Sequence, residues 1–293
     1  MKVLLTGAEG QVGSEIQRLM ASSEGSLHAC GRAQLDIVDA TQVARQLTEY
    51  QPDLVINAAA YTAVDLAESE QDIAFSVNRD GPRNLATECA RYHIPLIHLS
   101  TDYVFDGTMT RPYTEQDPVS PLGVYGQSKW QGEQQVRLLC EKHIILRVSW
   151  VYGCVGKNFV KTMLQLAKER DELRVVADQS GCPTSACDIA RVIGCIVQKI
   201  TDPQSMTHWG TYHYCGAPVT DWHQFASAII TEGRKYHSLQ TKNIIAINTE
   251  DYPTAARRPE YSALCCDKIL EHFGIQQVDW QSELQYVLKG LQL

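Results

Sequence analysis

The sequence predicts an α/β fold in which a doubly wound parallel sheet is followed by a smaller, less regular C-terminal region. Three observations carry that expectation. Apolar runs at 2–6, 26–30, 53–60, 95–99 and 143–149 give way, directly or after a loop, to stretches with apolar residues at helical spacing. That alternation builds parallel sheets. A glycine-marked turn, Gly7-Ala8-Glu9-Gly10-Gln11-Val12-Gly13, joins the first run directly to the first helical stretch. After Trp150 the alternation loosens into helices and short strands in no fixed order.

Taken in order, Lys2 to Thr6 reads as a strand and Ser14 to Met20 as a helix, with Ile16, Leu19 and Met20 on one face. Between a strand and a helix, a glycine turn is a dinucleotide site of the Rossmann type. Gly7 permits the tight turn, Gly10 lets backbone amides approach a pyrophosphate, and Gly13 lets helix pack on strand. The second strand, 26–30, ends in Gly31-Arg32 with no acid to hold ribose hydroxyls. A guanidinium there suits a 2′-phosphate, so NADPH is the expected cofactor and NADH an admissible second. Leu35-Asp36-Ile37 opens the next turn, beside the adenine, and 41–50 is helical. The third strand, 53–60, ends in small residues, Ala58 and Ala60 among them, which leaves room for a cofactor along the backbone. Residues 71–92 read as one long amphipathic helix.

The strand 95–99 leads to Thr101, whose hydroxyl emerges at the carboxyl end, where open α/β sheets bind ligands. A loop over 106–123, marked by Gly107, Pro112, Pro118 and Pro121, delivers the chain to a helix starting at Tyr125. Tyr125 and Lys129 lie four residues apart and so share a helix face. A phenol ionises near pH ~10, and a fixed positive charge favours the phenolate. Hydroxyl, phenol and ammonium together can move a proton on or off a carbonyl oxygen. His98, inside an apolar strand, reads as a satisfied core histidine.

In the second half, helices are expected at 158–170, 187–199, 221–236 and 280–291, with strands at 173–177, 211–215 and 243–247. Residues 1–150 form the expected dinucleotide-binding domain. Residues 151–293 form a mainly substrate-binding one, with some segments returning to the first. The loops 178–184 and 253–259 are its glycine- and proline-marked covers, and Arg258 suits a diphosphate.

The net charge of −8 comes from 26 basic and 34 acidic residues without a basic tract, which speaks against nucleic acid or an anionic membrane as partner. No apolar run approaches ~20 residues. The ten cysteines are scattered without a Cys-x-x-Cys pair. A soluble, reduced, cytoplasmic protein is expected.

Together, the Gly7/Gly10/Gly13 turn, the Asn57-Ala58-Ala59-Ala60 strand end, Thr101 and Tyr125-x-x-x-Lys129 resemble the extended short-chain dehydrogenases/reductases that act on nucleotide sugars. Residues 58–65, 100–107, 178–184 and 253–259 narrow the resemblance to the branch that reduces dTDP-4-dehydrorhamnose. The resemblance implies Thr101, Tyr125 and Lys129 as the catalytic set. It implies Gly10, Gln11, Val12, Asp36, Ile37, Ala60, Tyr61 and Thr62 as cofactor contacts, with Asp102, Tyr103 and Trp150 touching the substrate. The implied reaction is NADPH-dependent reduction of the C4 ketone of dTDP-4-dehydro-L-rhamnose to dTDP-L-rhamnose, a step toward lipopolysaccharide O-antigen. Two alternatives stay open: another nucleotide-sugar reductase or epimerase, and an NADP-binding regulatory subunit without turnover. Some relatives dimerise through carboxylates sharing a divalent metal. Cys187 follows the matching loop here and the last helix is short of acids at the matching places, so no metal is expected and a homodimer remains open.

Overall fold

Five parallel strands arise from the first half of the chain and the sixth from the second. The structure, a computed structural model, describes residues 1–21, 25–202 and 208–291. In the first half come β1 (Lys2–Thr6), α1 (Gln11–Met20), β2 (Ser26–Cys30), α2 (Ala40–Tyr50), β3 (Leu54–Asn57), α3 (Val64–Ala67), α4 (Gln71–Phe75), α5 (Gly81–Arg91), β4 (Leu96–Thr101), α6 (Val124–Leu139) and β5 (His143–Val148). The second half adds β6 (Val151–Tyr152), α7 (Phe159–Glu169), β7 (Glu172–Val176), β8 (Ser180–Gly181), β9 (Thr184–Ser185), α8 (Ala186–Thr201), β10 (Gly210–Tyr214), β11 (Thr220–Asp221), α9 (Trp222–Gly233), β12 (Asn243–Ile247), α10 (Asp267–Phe273) and α11 (Trp280–Gly290).

The main sheet runs β10-β5-β4-β3-β1-β2, parallel throughout. Strands buried on both faces explain the near-continuous apolar runs. Val3, Leu5, Ile56, Ile97 and Ile144 face one core layer, which includes residues of α1 and α8. Their neighbours Leu4, Val55, Leu96 and Ile145 face the other, with residues of α2 and α5. A further core, with Tyr152, Leu164, Phe225, Trp280 and Leu284, joins α7, α9 and α11 to β7. The order of strands reverses between β1 and β3, so the crevice at their carboxyl ends is where a ligand fits this fold.

The structure departs from the sequence expectations in several places. The first helix begins at Gln11 rather than Ser14, and β3 ends at Asn57, short of the alanines. The helix read over 71–92 is broken by a π-helical turn, Ser76–Asp80. The buried Asn78 on that turn accepts from Tyr61 N (2.8 Å) and donates to Tyr61 O (3.0 Å) and Ser128 Oγ (3.0 Å). These bonds tie it to the segment after β3 and to α6, a placement that the wider turn accompanies. The short α3 and α10 were not expected. The strand expected at 211–215 forms as β10 and is a second-half segment that returns to the main sheet, against β5. Among the described residues no helix is long and apolar enough to cross a membrane.

Candidate active site

The glycine turn closes β1 onto α1. Gly7 has φ +68°, and a Cβ on it would fall 2.4 Å from Ala59 N. A Cβ on Gly13 would fall 2.2 Å from Gly7 O, so strand, turn and helix touch through backbone alone. The helix starts after Gly10 with no capping side chain, leaving first-turn N–H groups to point outward. That uncapped N-terminus fits a pyrophosphate. Gln11 accepts from Asn158 Nδ2 at 2.9 Å, and Val12 is buried in the core, so what this turn can offer a cofactor is chiefly backbone.

At the end of β2, Arg32 has a side chain 78% exposed and lies 3.6 Å from Asp36. Ile37 is buried beneath α5, where a Cβ on Gly81 would strike its Cδ1, so its side chain is core rather than an adenine wall. Glu9, which the sequence reading passed over, packs its carboxylate on Gly31. An acid thus does reach the end of the second strand, from the glycine turn instead of the strand. Ala58 and Ala60 are half-buried and Thr62 exposed along the same crevice, and Tyr61 donates its hydroxyl to Glu70 at 2.7 Å.

Thr101, Tyr125 and Lys129 come together where β4 meets α6. Thr101 Oγ1 donates to Asp102 Oδ1 (3.0 Å), and the same side chain lies beside the Tyr125 phenol, where it favours the ionised form. The buried Asp102 also accepts from Ser149 Oγ (3.1 Å), yet burial wins and pushes its carboxyl up to about 6. The phenol of Tyr125 moves opposite to the expectation, up to about 12, because burial outweighs the influence of Thr101 and Lys129 does not lower it. Lys129 Nζ instead donates to Leu99 O at 2.6 Å. Burial pushes that ammonium down to about 8, against Glu133, which raises it. Tyr125 is therefore a protonated acid at neutral pH, and Lys129 a buried cation.

Beneath this face a charged cluster, also absent from the sequence reading, joins α6 to the sheet. Glu133, fully buried, accepts from Ser100 Oγ (2.5 Å), Arg147 Nε (2.9 Å) and Nη2 (2.7 Å), and Arg137 Nη2 (2.7 Å). His98 Nδ1 meets Asn57 Nδ2 at 3.0 Å, but its buried Nε2 has no hydrogen-bond partner among the described residues, so this core histidine is only half satisfied.

The second half covers the site. Arg258 forks onto Asp65 (2.7 and 3.1 Å) and bonds Thr254 Oγ1 (2.6 Å). Its guanidinium also contacts Tyr103, whose ring meets Tyr125 edge-on at 5.8 Å. Trp150 has φ 45°, a costly conformation for a bulky residue. Its indole is clasped between Gly181, where a Cβ would fall within 2.4 Å, and Trp222, stacked at 3.4 Å and 6°. Trp222, Phe159, Met163, Gln179, Arg174 and Arg258 help line a cavity of about 620 Å³.

All ten cysteines are free. Cys187 accepts from Arg18 at 3.1 Å, and Glu283 of α11 is engaged by Ser185 at 2.7 Å and by Arg191. Among the described residues no group of three or more His, Cys, Asp or Glu side chains is arranged to hold a metal ion.

The fold and site define a Rossmann-type oxidoreductase. The family described as "RmlD substrate binding domain" matches residues 1–293, and the chain belongs to that family. It is 44% identical over 288 residues to the dTDP-4-dehydrorhamnose reductase of Aggregatibacter actinomycetemcomitans, covering 98% of each chain. A crystal structure of a dTDP-4-dehydrorhamnose reductase from Clostridium acetobutylicum superposes with a TM-score of 0.93 at 37% identity, covering 100% of both chains. The Bacillus anthracis dTDP-4-dehydrorhamnose reductase, solved in complex with NADP, gives a TM-score of 0.91 at 36% identity over 99% of each.

Proposed function

We propose that the chain reduces the C4 ketone of dTDP-4-dehydro-L-rhamnose to dTDP-L-rhamnose, with NADPH as cofactor. The observation that carries the reading is the Tyr125 phenol, kept protonated by burial and set beside Thr101 at the carboxyl end of the sheet. Relatives of nearly full length that bear this activity as their name support the substrate. Bound NADPH would supply the hydride.

The rest falls to the chain's own residues. Tyr125 gives its proton to the alkoxide that develops at C4, and Thr101 steadies the same oxygen once its hydroxyl proton turns from Asp102. Lys129, charged below about 8, supports the ribose beside it and helps the phenol recover its proton. Gly7, Gly10 and Gly13 shape the turn, with Gly10 N–H closing it on Gly7 O, and backbone amides at Gln11 and Val12 hold the pyrophosphate. Arg32 and Asp36, with the backbone at Ile37, frame the adenosine end. Ala58, Ala60, Tyr61 and Thr62 give the cofactor its wall. Asp102, Tyr103 and Trp150 bound the sugar, and Arg258 meets the diphosphate once its fork leaves Asp65. The cavity lined by Trp222 and Phe159 offers an aromatic wall for the nucleoside.

In this division residues 1–150 bind cofactor and 151–293 mainly bind substrate, in a reducing cytoplasm that suits ten free thiols. The test mixes protein, NADPH and dTDP-4-dehydro-L-rhamnose and follows loss of NADPH absorbance. Turnover to dTDP-L-rhamnose is expected. Cofactor binding without turnover would leave a non-catalytic NADP-binding protein instead.

A further inference from the structure

We infer that Glu133 is a positioning residue that keeps Lys129 charged and in register with Thr101. The inference stands on how α6 is fastened to the sheet. Tyr125, Lys129 and Glu133 follow one another at four-residue steps and so line one stripe of the helix. Lys129 is bonded to the carbonyl of Leu99 and Glu133 to the hydroxyl of Ser100, consecutive residues of β4. The next residue is Thr101. Two adjacent ties therefore fix which part of the helix faces the end of the strand, and Glu133 makes the second.

A carboxylate at this depth is costly unless it is paired. Arg147 supplies a two-pronged contact from β5 and Arg137 a third bond from one helical turn further on. Arg147 is itself held over the ring of Phe105 at 5.1 Å and meets His213 Nε2 at 3.2 Å. The carboxylate is thus locked in place.

The electrical consequence follows from what surrounds Lys129. Tyr125 and Glu133 lie on its own helix with Arg137. Asp102 and His98 come from β4 and its end, and Arg147 and His143 from β5. His98 and His143 are pushed down by burial and are neutral at pH 7. Glu133 is the neighbour that favours the ammonium, opposing the burial that drives the proton off. Its carboxyl is held low by Arg147, so it is ionised throughout the working range. Lys129 owes its charge near neutrality to this buried acid, which touches neither of the ligands proposed above.

The experiment compares Glu133→Asp, Glu133→Gln and the double variant Glu133→Gln/Arg147→Met. The double variant removes the arginine that the single change would strand without a partner, which keeps the protein testable if Glu133→Gln alone does not fold. Lysine side-chain NMR on the cofactor-free protein reads the titration of Lys129 directly. The pH dependence of the NADPH Kd and of kcat/KM reads its effect. In both Gln variants that fold, the Lys129 titration and the basic limb of kcat/KM are expected to move down by about 1 pH unit or more, the scale of a lost neighbouring charge. Activity at pH 7.5 then falls about threefold for a shift of about 1 unit, and further for a larger one. Glu133→Asp, which keeps the charge, is expected to restore the titration while lowering kcat. A merely structural salt bridge predicts lowered Tm with an unmoved Lys129 titration, and that result would overturn the inference. The NMR arm needs no turnover, so it stands or falls apart from the reductase reading.

Discussion

The underside of α6 and the loop that covers it are both held by an arginine and a carboxylate, yet the two contacts differ in kind. Under α6, Glu133 and Arg147 are buried to 0% and 1% side-chain exposure, and every oxygen of the carboxylate is engaged. Over the site, Arg258 and Asp65 are 22% and 45% exposed and join loop 253–259 to the segment after β3. A desolvated pair with full partners is lost only at high cost, whereas a half-exposed pair is worth little and exchanges readily. Tyr125 and Lys129 ride on a helix fastened from below by contacts that persist. The cover is fastened by one that opens at little cost.

Removing the phenol is the largest expected effect. Tyr125→Phe should keep the fold and NADPH binding and lose roughly 10²–10⁴-fold in kcat, the range of a lost general acid. Near-wild-type turnover would remove Tyr125 from its role. The comparison itself is broken by truncating one acid on each side. Glu133→Ala should cost about 3–5 kcal/mol in denaturant unfolding, since it strands a buried guanidinium. Asp65→Ala should cost less than about 1 kcal/mol. Equal losses would mean that the cover is as fixed as the floor.

On the ligand side, Arg258→Ala should raise KM for the dTDP-sugar about 10- to 150-fold, a charge-assisted contact of ~1.5–3 kcal/mol, with the NADPH Kd unmoved. Loss of cofactor binding with KM intact would assign this loop to the other ligand. A pH profile sharpens the picture further. Burial raises Asp102 from 3.8 to about 6, so the folded state gains stability as pH falls from about 6 toward 4. The acidic limb of kcat/KM should lie near 6, where this acceptor for Thr101 is protonated. Asp102→Asn should abolish that limb, and a limb that survives belongs to another group. The smallest effect concerns cofactor choice. Arg32→Ala should lower the NADPH-to-NADH ratio of kcat/KM only several-fold, because its side chain is largely solvated and Glu9 already places negative charge at Gly31. An unchanged ratio makes Arg32 a loop residue.

Much of the fold and the core of the site were legible because their logic is local. The glycine spacing 7, 10, 13 is dictated by one turn, and Tyr125 and Lys129 by one helix face. What escaped depends on distant partners. Asn78 widens a helix where its side chain reaches Tyr61 and Ser128. Glu133 reads as an ordinary helix acid until Ser100 and Arg147 arrive from two strands. Glu9 acquires its meaning from Gly31, across the crevice. The phenol of Tyr125 was misjudged for a related reason. Sequence displays the ammonium four residues away, but desolvation, the larger effect here, is a property of the packed whole.

The pairing of β10 with β5, from Gly210 opposite Ile144 to Tyr214 opposite Val148, bears on how the chain is made. During synthesis β5 leaves the ribosome well before the strand that closes its outer side. Until β10 follows, the nascent sheet presents a row of unpaired backbone groups, the template on which stray chains add. Contacts of such long sequence separation also form slowly. A fragment ending at residue 150 keeps that open side permanently and would be expected to aggregate. The main sheet is finished only when the second half of the chain has been made.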